Sequence, residues 1–214
     1  MTISIIGSGH MGKGIGARLV SAGYHVQIHD RNVEQAQALA SDLTKLAKNG
    51  GMAEGKSLDD PLTGEVVIFA LPYTAIEQVV KEFDGQLESK IVVDISNPVD
   101  FQKMELVTPA GSSGAEEIAK HVPKSTKVVK AFNTTFAGTL LTGSVGGKQL
   151  DVFIAGDDAK AKEVISKVAI DAGLRPLDLG PLAHAHFAEV MGLTHMLLQK
   201  ELKSNWMSAL KFLS

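Results

Sequence analysis

Short apolar runs recur along the chain, and the segments between them carry helical patterns. Ile3–Ile6 and Val26–His29 predict the first two strands, and Met52–Ala53 a short third. Val66–Ala70 is apolar throughout and stops before Pro72, and Ile91–Ile95 stops before Asn97-Pro98. Unbroken runs of this kind mark strands buried on both faces. Lys127–Ala131 and Val152–Ala155 extend the series. Helices are predicted over Glu34–Lys48, closed by Gly50-Gly51, and over Asp158–Ala172. Strand alternating with helix implies an α/β fold, a doubly wound and mostly parallel sheet.

Two stretches break this rhythm. Phe101–Gly114 holds Pro109, Gly111 and Gly114 and reads as a long loop of the kind that is usually functional or mobile. Beyond Gly180-Pro181, Phe187, Val190, Met191, Thr194, Leu197, Leu198, Leu202 and Trp206 fall near helical spacing. They predict an amphipathic helix whose apolar stripe faces the core. The chain therefore divides into an α/β domain, residues 1–180, and a short C-terminal helical appendage, residues 181–214. The appendage is expected to pack on the domain or on a twin subunit.

The first predicted turn carries chemistry. Ile3–Ile6 runs into Gly7-Ser8-Gly9-His10-Met11-Gly12, a helix-forming segment follows, and the next strand closes on Asp30-Arg31. This is a GxGxxG dinucleotide fingerprint in the order strand, turn, helix, strand, acidic end. Gly7 allows the tight turn, Gly9 lets backbone approach a pyrophosphate, and Gly12 lets the helix pack closely on the sheet. The phosphates would face the first-turn N–H groups at the positive end of the helix dipole. Asp30 stands where a carboxylate accepts from ribose hydroxyls and selects NAD. Arg31 offers a fork to a 2′-phosphate and selects NADP. The two residues argue in opposite directions.

Composition narrows the alternatives. With 21 Lys and Arg against 24 Asp and Glu, the 214-residue chain has a formal charge of −3, which gives no footing for nucleic-acid binding. It has no cysteine, so disulfides, thiolate catalysis and cysteine-held metals are excluded. Neither a signal-peptide pattern nor an apolar run of membrane-spanning length is present, which fits a cytoplasmic protein with no membrane partner. His184 and His186 are two residues apart and do not form a zinc pair on a helix, so no metal is expected. They read as solvent-facing or capping histidines, against a role lining the site beside Glu189. Lys130, in a strand that should be buried, would carry its head group to the strand end.

Ligands of open parallel sheets bind beyond the carboxyl ends of the strands. Those ends read Gly7-Ser8, Asp30-Arg31, Leu71-Pro72-Tyr73, Ser96-Asn97-Pro98 and Phe132-Asn133-Thr134. Small polar residues and prolines collect there, the prolines holding the chain extended before the next helix.

These strings resemble the NADP oxidoreductases that depend on a deazaflavin coenzyme and, more distantly, the cytosolic domains of six-transmembrane metalloreductases. The carriers are the Gly7–Gly12 loop, Asp30-Arg31-Asn32, Ala70-Leu71-Pro72, Val93-Asp94-Ile95-Ser96-Asn97-Pro98 and Lys130-Ala131-Phe132-Asn133-Thr134. Ala155-Gly156-Asp157-Asp158, Asp178-Leu179-Gly180-Pro181-Leu182 and Glu189 continue the match. The resemblance implies a Rossmann fold and NADP(H) as the favoured cofactor, with NAD(H) left open by Asp30. It implies that the loop Ser8 to Gly12 holds the pyrophosphate, that Arg31 lies over the adenine, and that Pro72, Tyr73, Asn97, Pro98, Ala131 and Asn133 frame the nicotinamide. Hydride would pass directly to a small flavin-like acceptor, so alignment replaces acid–base chemistry. Asn97, Asn133, His184 and Glu189 are the candidate cleft residues. Two other readings share the opening motif: a β-hydroxyacid or pyrroline-carboxylate type dehydrogenase, and a non-catalytic sensor of nicotinamide redox state.

Overall fold

The computed structural model describes residues 1–83 and 85–213. Its first half is β1 (Thr2–Ile6), α1 (His10–Ser21), β2 (His25–Asp30), α2 (Val33–Thr44), β3 (Met52–Ser57), β4 (Val66–Phe69), α3 (Tyr73–Glu82) and β5 (Ile91–Asp94). A small hairpin, β6 (Val99–Asp100) and β7 (Glu105–Leu106), leads to α4 (Gly114–Ala119), β8 (Lys127–Lys130) and α5 (Ala137–Thr142). A second hairpin, β9 (Ser144–Val145) and β10 (Lys148–Gln149), precedes β11 (Asp151–Gly156), α6 (Ala159–Asp171) and β12 (Arg175–Gly180). A single 3-10 turn, Leu182–His184, then opens α7 (Ala185–Leu197), and α8 (Gln199–Leu202) follows.

Eight strands form one sheet in the order β12-β11-β8-β5-β4-β1-β2-β3. All neighbours pair in parallel except β11 with β8, which is antiparallel. Of the two runs expected to be buried on both faces, Val66–Phe69 and Val92–Ile95 are buried and Ala70 and Ile91 at their ends are half-buried; every residue of β11 is buried as well. One core layer joins α1, α2 and α6 to the sheet through Ile15, Leu19, Leu43 and Ile165. The opposite face is covered by α3 and α4 through Ile76, Val80 and Ile118. Helix starts follow side-chain chemistry: Asn32 caps α2, Asp158 caps α6, and Ser113 with Glu116 makes a reciprocal capping box on α4.

Several expectations change. Met52–Ala53 lengthens into six-residue β3. The loop Phe101–Gly114 contains strand β7, which pairs with β6, and ends at the cap of α4. Pro98 therefore precedes a hairpin and not a helix, whereas Pro72 does precede α3. Strand β12 carries Arg175, Pro176 and Asp178 and gives no apolar run; Pro176 is tolerated because β12 pairs on one side only.

The largest difference is at the C-terminus. The buried face of α7 is Ala185, Ala188, Glu189, Gly192 and His195. Phe187 (52% exposed), Val190, Leu197 and Leu198 point outward, and Leu202 and Trp206 beyond α7 are exposed as well, so the stripe read as core-facing is the exposed one. The reason is local: α7 lies over Lys130, Asn133 and the Thr134 carbonyl, which demand polar or small partners. The helix also stops early. Lys203, Asn205 and Trp206 take left-handed backbone angles, and residues 203–213 return as a strap. Buried Asp151 clamps this strap: its carboxylate accepts from Arg175 at 2.8 and 2.6 Å, from Lys211 at 2.5 Å and from the Phe212 N–H at 2.9 Å.

Candidate active site

Strand order reverses at β1, between β2 and β4, so the carboxyl ends of these strands open a crevice. Gly7 turns there at φ +112°, a left-handed angle, and a Cβ on it would lie 2.5 Å from the Ala70 carbonyl oxygen. A Cβ on Gly12 would lie 2.1 Å from the Gly7 oxygen, so only glycine lets α1 start this close to the strand. Gly9 differs, because a Cβ there meets nothing within 4 Å. Gly9 is the N-cap of α1 and offers no side-chain acceptor to the first-turn amides. Open space therefore lies over the positive end of the helix, and a diphosphate fits it.

Asp30 turns back to this loop. Its Oδ2 accepts from the Ser8 N–H at 2.8 Å and the Ser8 hydroxyl at 2.7 Å, and its Oδ1 from the Asn32 N–H at 3.0 Å. Burial pushes its carboxyl up, but these bonds and nearby Arg31 outweigh it and hold the group below the usual carboxylate range. Arg31 is exposed and forms no ion pair among the described residues. Gly7, Asp30, Arg31 and Leu71 line one cleft with His29, Gln78 and Glu82.

A second group gathers past β5 and β8. Asn97 donates from Nδ2 to the Asn133 carbonyl at 2.8 Å, and Asn133 Nδ2 donates to Asn97 Oδ1 at 2.9 Å and to the Ala188 carbonyl at 2.8 Å. Phe132, buried and left-handed at φ +62°, makes the turn that places Asn133. Beneath the pair, Lys130 and Glu189 are both wholly buried, at 0% exposure. Lys130 Nζ donates to Asp94 at 2.7 Å, to the Ser96 carbonyl at 2.6 Å and to Glu189 at 2.7 Å. Glu189 also accepts from the Gly114 N–H at 2.9 Å. Burial pushes Glu189 up despite Lys130. Burial works against the Lys130 charge, but Asp94 and Glu189 outweigh it and raise the ammonium above its ordinary value. Tyr73 packs on this cluster, since a Cβ on Gly114 would touch both its ring and Glu189.

Other candidates fall elsewhere. Ala131 is wholly buried in the core on the α1 side, so its methyl frames nothing at the rim. His184 bonds through Nδ1 to the Leu179 carbonyl and packs its ring on Phe187, so it closes the β12–α7 turn, and among the described residues it makes no hydrogen bond to the asparagine pair. His186 packs on Phe187 at 3.9 Å. Lys130 does carry its head group to the strand ends, but into a buried ion cluster and not to solvent. Sequence reasoning missed His195, which is buried between the Thr134 carbonyl and the Ser208 hydroxyl, with burial lowering its pKa. Its place in an apparently amphipathic helix gave no signal. Among the described residues no cluster of potential ligands could hold a metal, and no helix is long and apolar enough to cross a membrane.

A crevice at the reversal of strand order, a glycine cradle at a helix start, and a charged pair closing the second strand define a Rossmann-type dinucleotide-binding protein. Comparison with known proteins agrees. The family model described as NADP oxidoreductase, coenzyme F420-dependent, matches residues 2–98. The F420-dependent NADP reductase of Methanocaldococcus jannaschii is 30% identical over 203 residues, covering 89% of each chain. The chain belongs to this family of oxidoreductases. Metalloreductase STEAP3 of Rattus norvegicus is 31% identical over 191 residues, which are 89% of this chain but 36% of that protein. A solved structure from Arthrobacter sp. FB24 superposes with a TM-score of 0.83 over 99% of both chains at 24% identity, which shows the fold.

Proposed function

We propose that the protein is an NADP(H)-dependent oxidoreductase that passes hydride between the nicotinamide and a flavin-like deazaflavin coenzyme held beside it. The observation that carries the reading is Arg31, exposed at the lip of the cleft and without an ion pair among the described residues, while Asp30 turns toward Ser8. A carboxylate with both oxygens engaged leaves the neighbouring guanidinium to a phosphate. The Gly7–Gly12 loop, with Ser8, His10 and Met11, holds the pyrophosphate. Leu71, Pro72, Tyr73, Asn97, Pro98 and Asn133 frame the nicotinamide. When bound, the nicotinamide would give up or take the hydride, and the chain's part is to hold the two rings in line and keep water out. No residue is assigned as a proton donor, in keeping with transfer by alignment.

Parallel titrations with NADPH and NADH test this. Arg31→Ala is expected to weaken NADPH roughly ten- to a hundredfold, the worth of a charged hydrogen bond, and to leave NADH nearly unchanged. NADPH is expected to be oxidised by a deazaflavin in a panel that also holds flavins, ferric chelates and small carbonyls. Equal loss for both nucleotides, or no oxidation by any acceptor, contradicts the reading.

A further inference from the structure

Helix α7 turns its less apolar face inward. Ala188, Glu189, Gly192 and His195 lie three or four residues apart or adjacent, on one side of the helix, and each meets the rim beyond β5 and β8. The Ala188 carbonyl accepts from Asn133, and Glu189 takes Lys130 and the Gly114 N–H. A Cβ on Gly192 would lie 2.7 Å from Asn97 Oδ1, and His195 meets the Thr134 carbonyl at 3.2 Å. A cheaper packing was at hand, since the same helix carries Phe187, Val190 and Leu197 on its outer face. Buried ion pairs add little to stability over apolar packing, but they fix position, because a displaced partner leaves a bare charge in the interior. Two carboxylates and one ammonium meet here, and no atom of the Lys130 or Glu189 side chain is exposed to solvent.

We infer that Glu189 is a positioning residue for hydride transfer: by clamping α7 onto the ends of β5 and β8 through Lys130 and Gly114, it sets the Asn97–Asn133 amide pair that borders the nicotinamide. The inference rests on the proposed oxidoreductase reading. It goes beyond it by assigning the alignment to a helix that itself contributes no exposed group at the pair.

Two variants separate positioning from plain structural support. Glu189→Gln keeps the shape and one acceptor oxygen but removes the charge. Gly192→Ala leaves every charge alone and pushes a methyl against Asn97. In both, affinity for adenosine 2′,5′-bisphosphate, which reports only the adenine end, is expected to stay nearly unchanged. Single-turnover hydride transfer from NADPH to the deazaflavin is expected to fall roughly ten- to a hundredfold, as misplacement by about an ångström costs. The deuterium isotope effect should grow as chemistry becomes limiting, and the side-chain amide signals of Asn97 and Asn133 should shift. A folded Glu189→Gln protein with both the rate and the amide signals of the wild type overturns the inference. So does an equal loss of affinity for the adenine fragment, which marks general loosening. If Glu189→Gln does not fold, Glu189→Asp, which keeps the charge and shortens the clamp, takes its place, and unchanged rate and amide signals in it overturn the inference. If the wild type binds the fragment but reduces no acceptor, the oxidoreductase reading has failed, and the amide signals still decide whether Glu189 places the pair.

Discussion

At the residue scale the site depends on which atoms are left without partners. Asp30 was readable as a ribose ligand from its place after the second strand. Its attachment to Ser8 was not, because that depends on the loop curling back over β2. Lys130 shows the same limit. A lysine in an apolar run announces a special environment, but its partners Asp94 and Glu189 lie 36 and 59 residues away. Replacing Lys130 with methionine keeps most of the unbranched stem and leaves two buried carboxylates without a cation. Such a loss costs about 3–5 kcal/mol, so the variant should unfold at markedly lower denaturant than the wild type. An unchanged midpoint in urea would contradict the stabilising role of the buried cluster.

Among the elements, strands are legible where they are buried on both faces, since β4, β5 and β11 carry apolar runs, whereas β8 keeps only Val128-Val129 between two lysines. Edge strand β12 and the two hairpins were not, because exposed or short strands carry no such run. In α7 the apolar period is real, but it marks the outer side of the helix. The face that meets the sheet rim is set by Lys130, Asn97 and Asn133, and this leaves Phe187, Leu197 and Leu198 in the open. We propose that a twin subunit covers them, as an apolar stripe on a helix commonly marks an interface. Light scattering should then give twice the mass of the chain, and Leu197→Glu with Leu198→Glu should give the mass of one. A wild type that scatters as a single chain at all concentrations contradicts a dimer.

For the whole molecule, the fold was read from alternation alone, and the family from a few strings at the strand ends. The structure adds the reason those strings stand together. Parallel pairing of β2, β1, β4, β5 and β8 brings their carboxyl ends to one edge, so Gly7, Asp30, Leu71, Asn97 and Asn133 share a rim although the chain separates them widely. What the rim is for depends on the cradle at the start of α1. Gly9 gives the most direct test, because its backbone has an ordinary φ of −71° and an added Cβ would meet no described residue beyond its chain neighbours within 4 Å. The Gly9→Ala protein should therefore melt at the wild-type temperature and yet lose NADPH binding in calorimetric titration, the methyl occupying the space of the diphosphate. A stable Gly9→Ala protein that binds NADPH as tightly as the wild type would contradict the account.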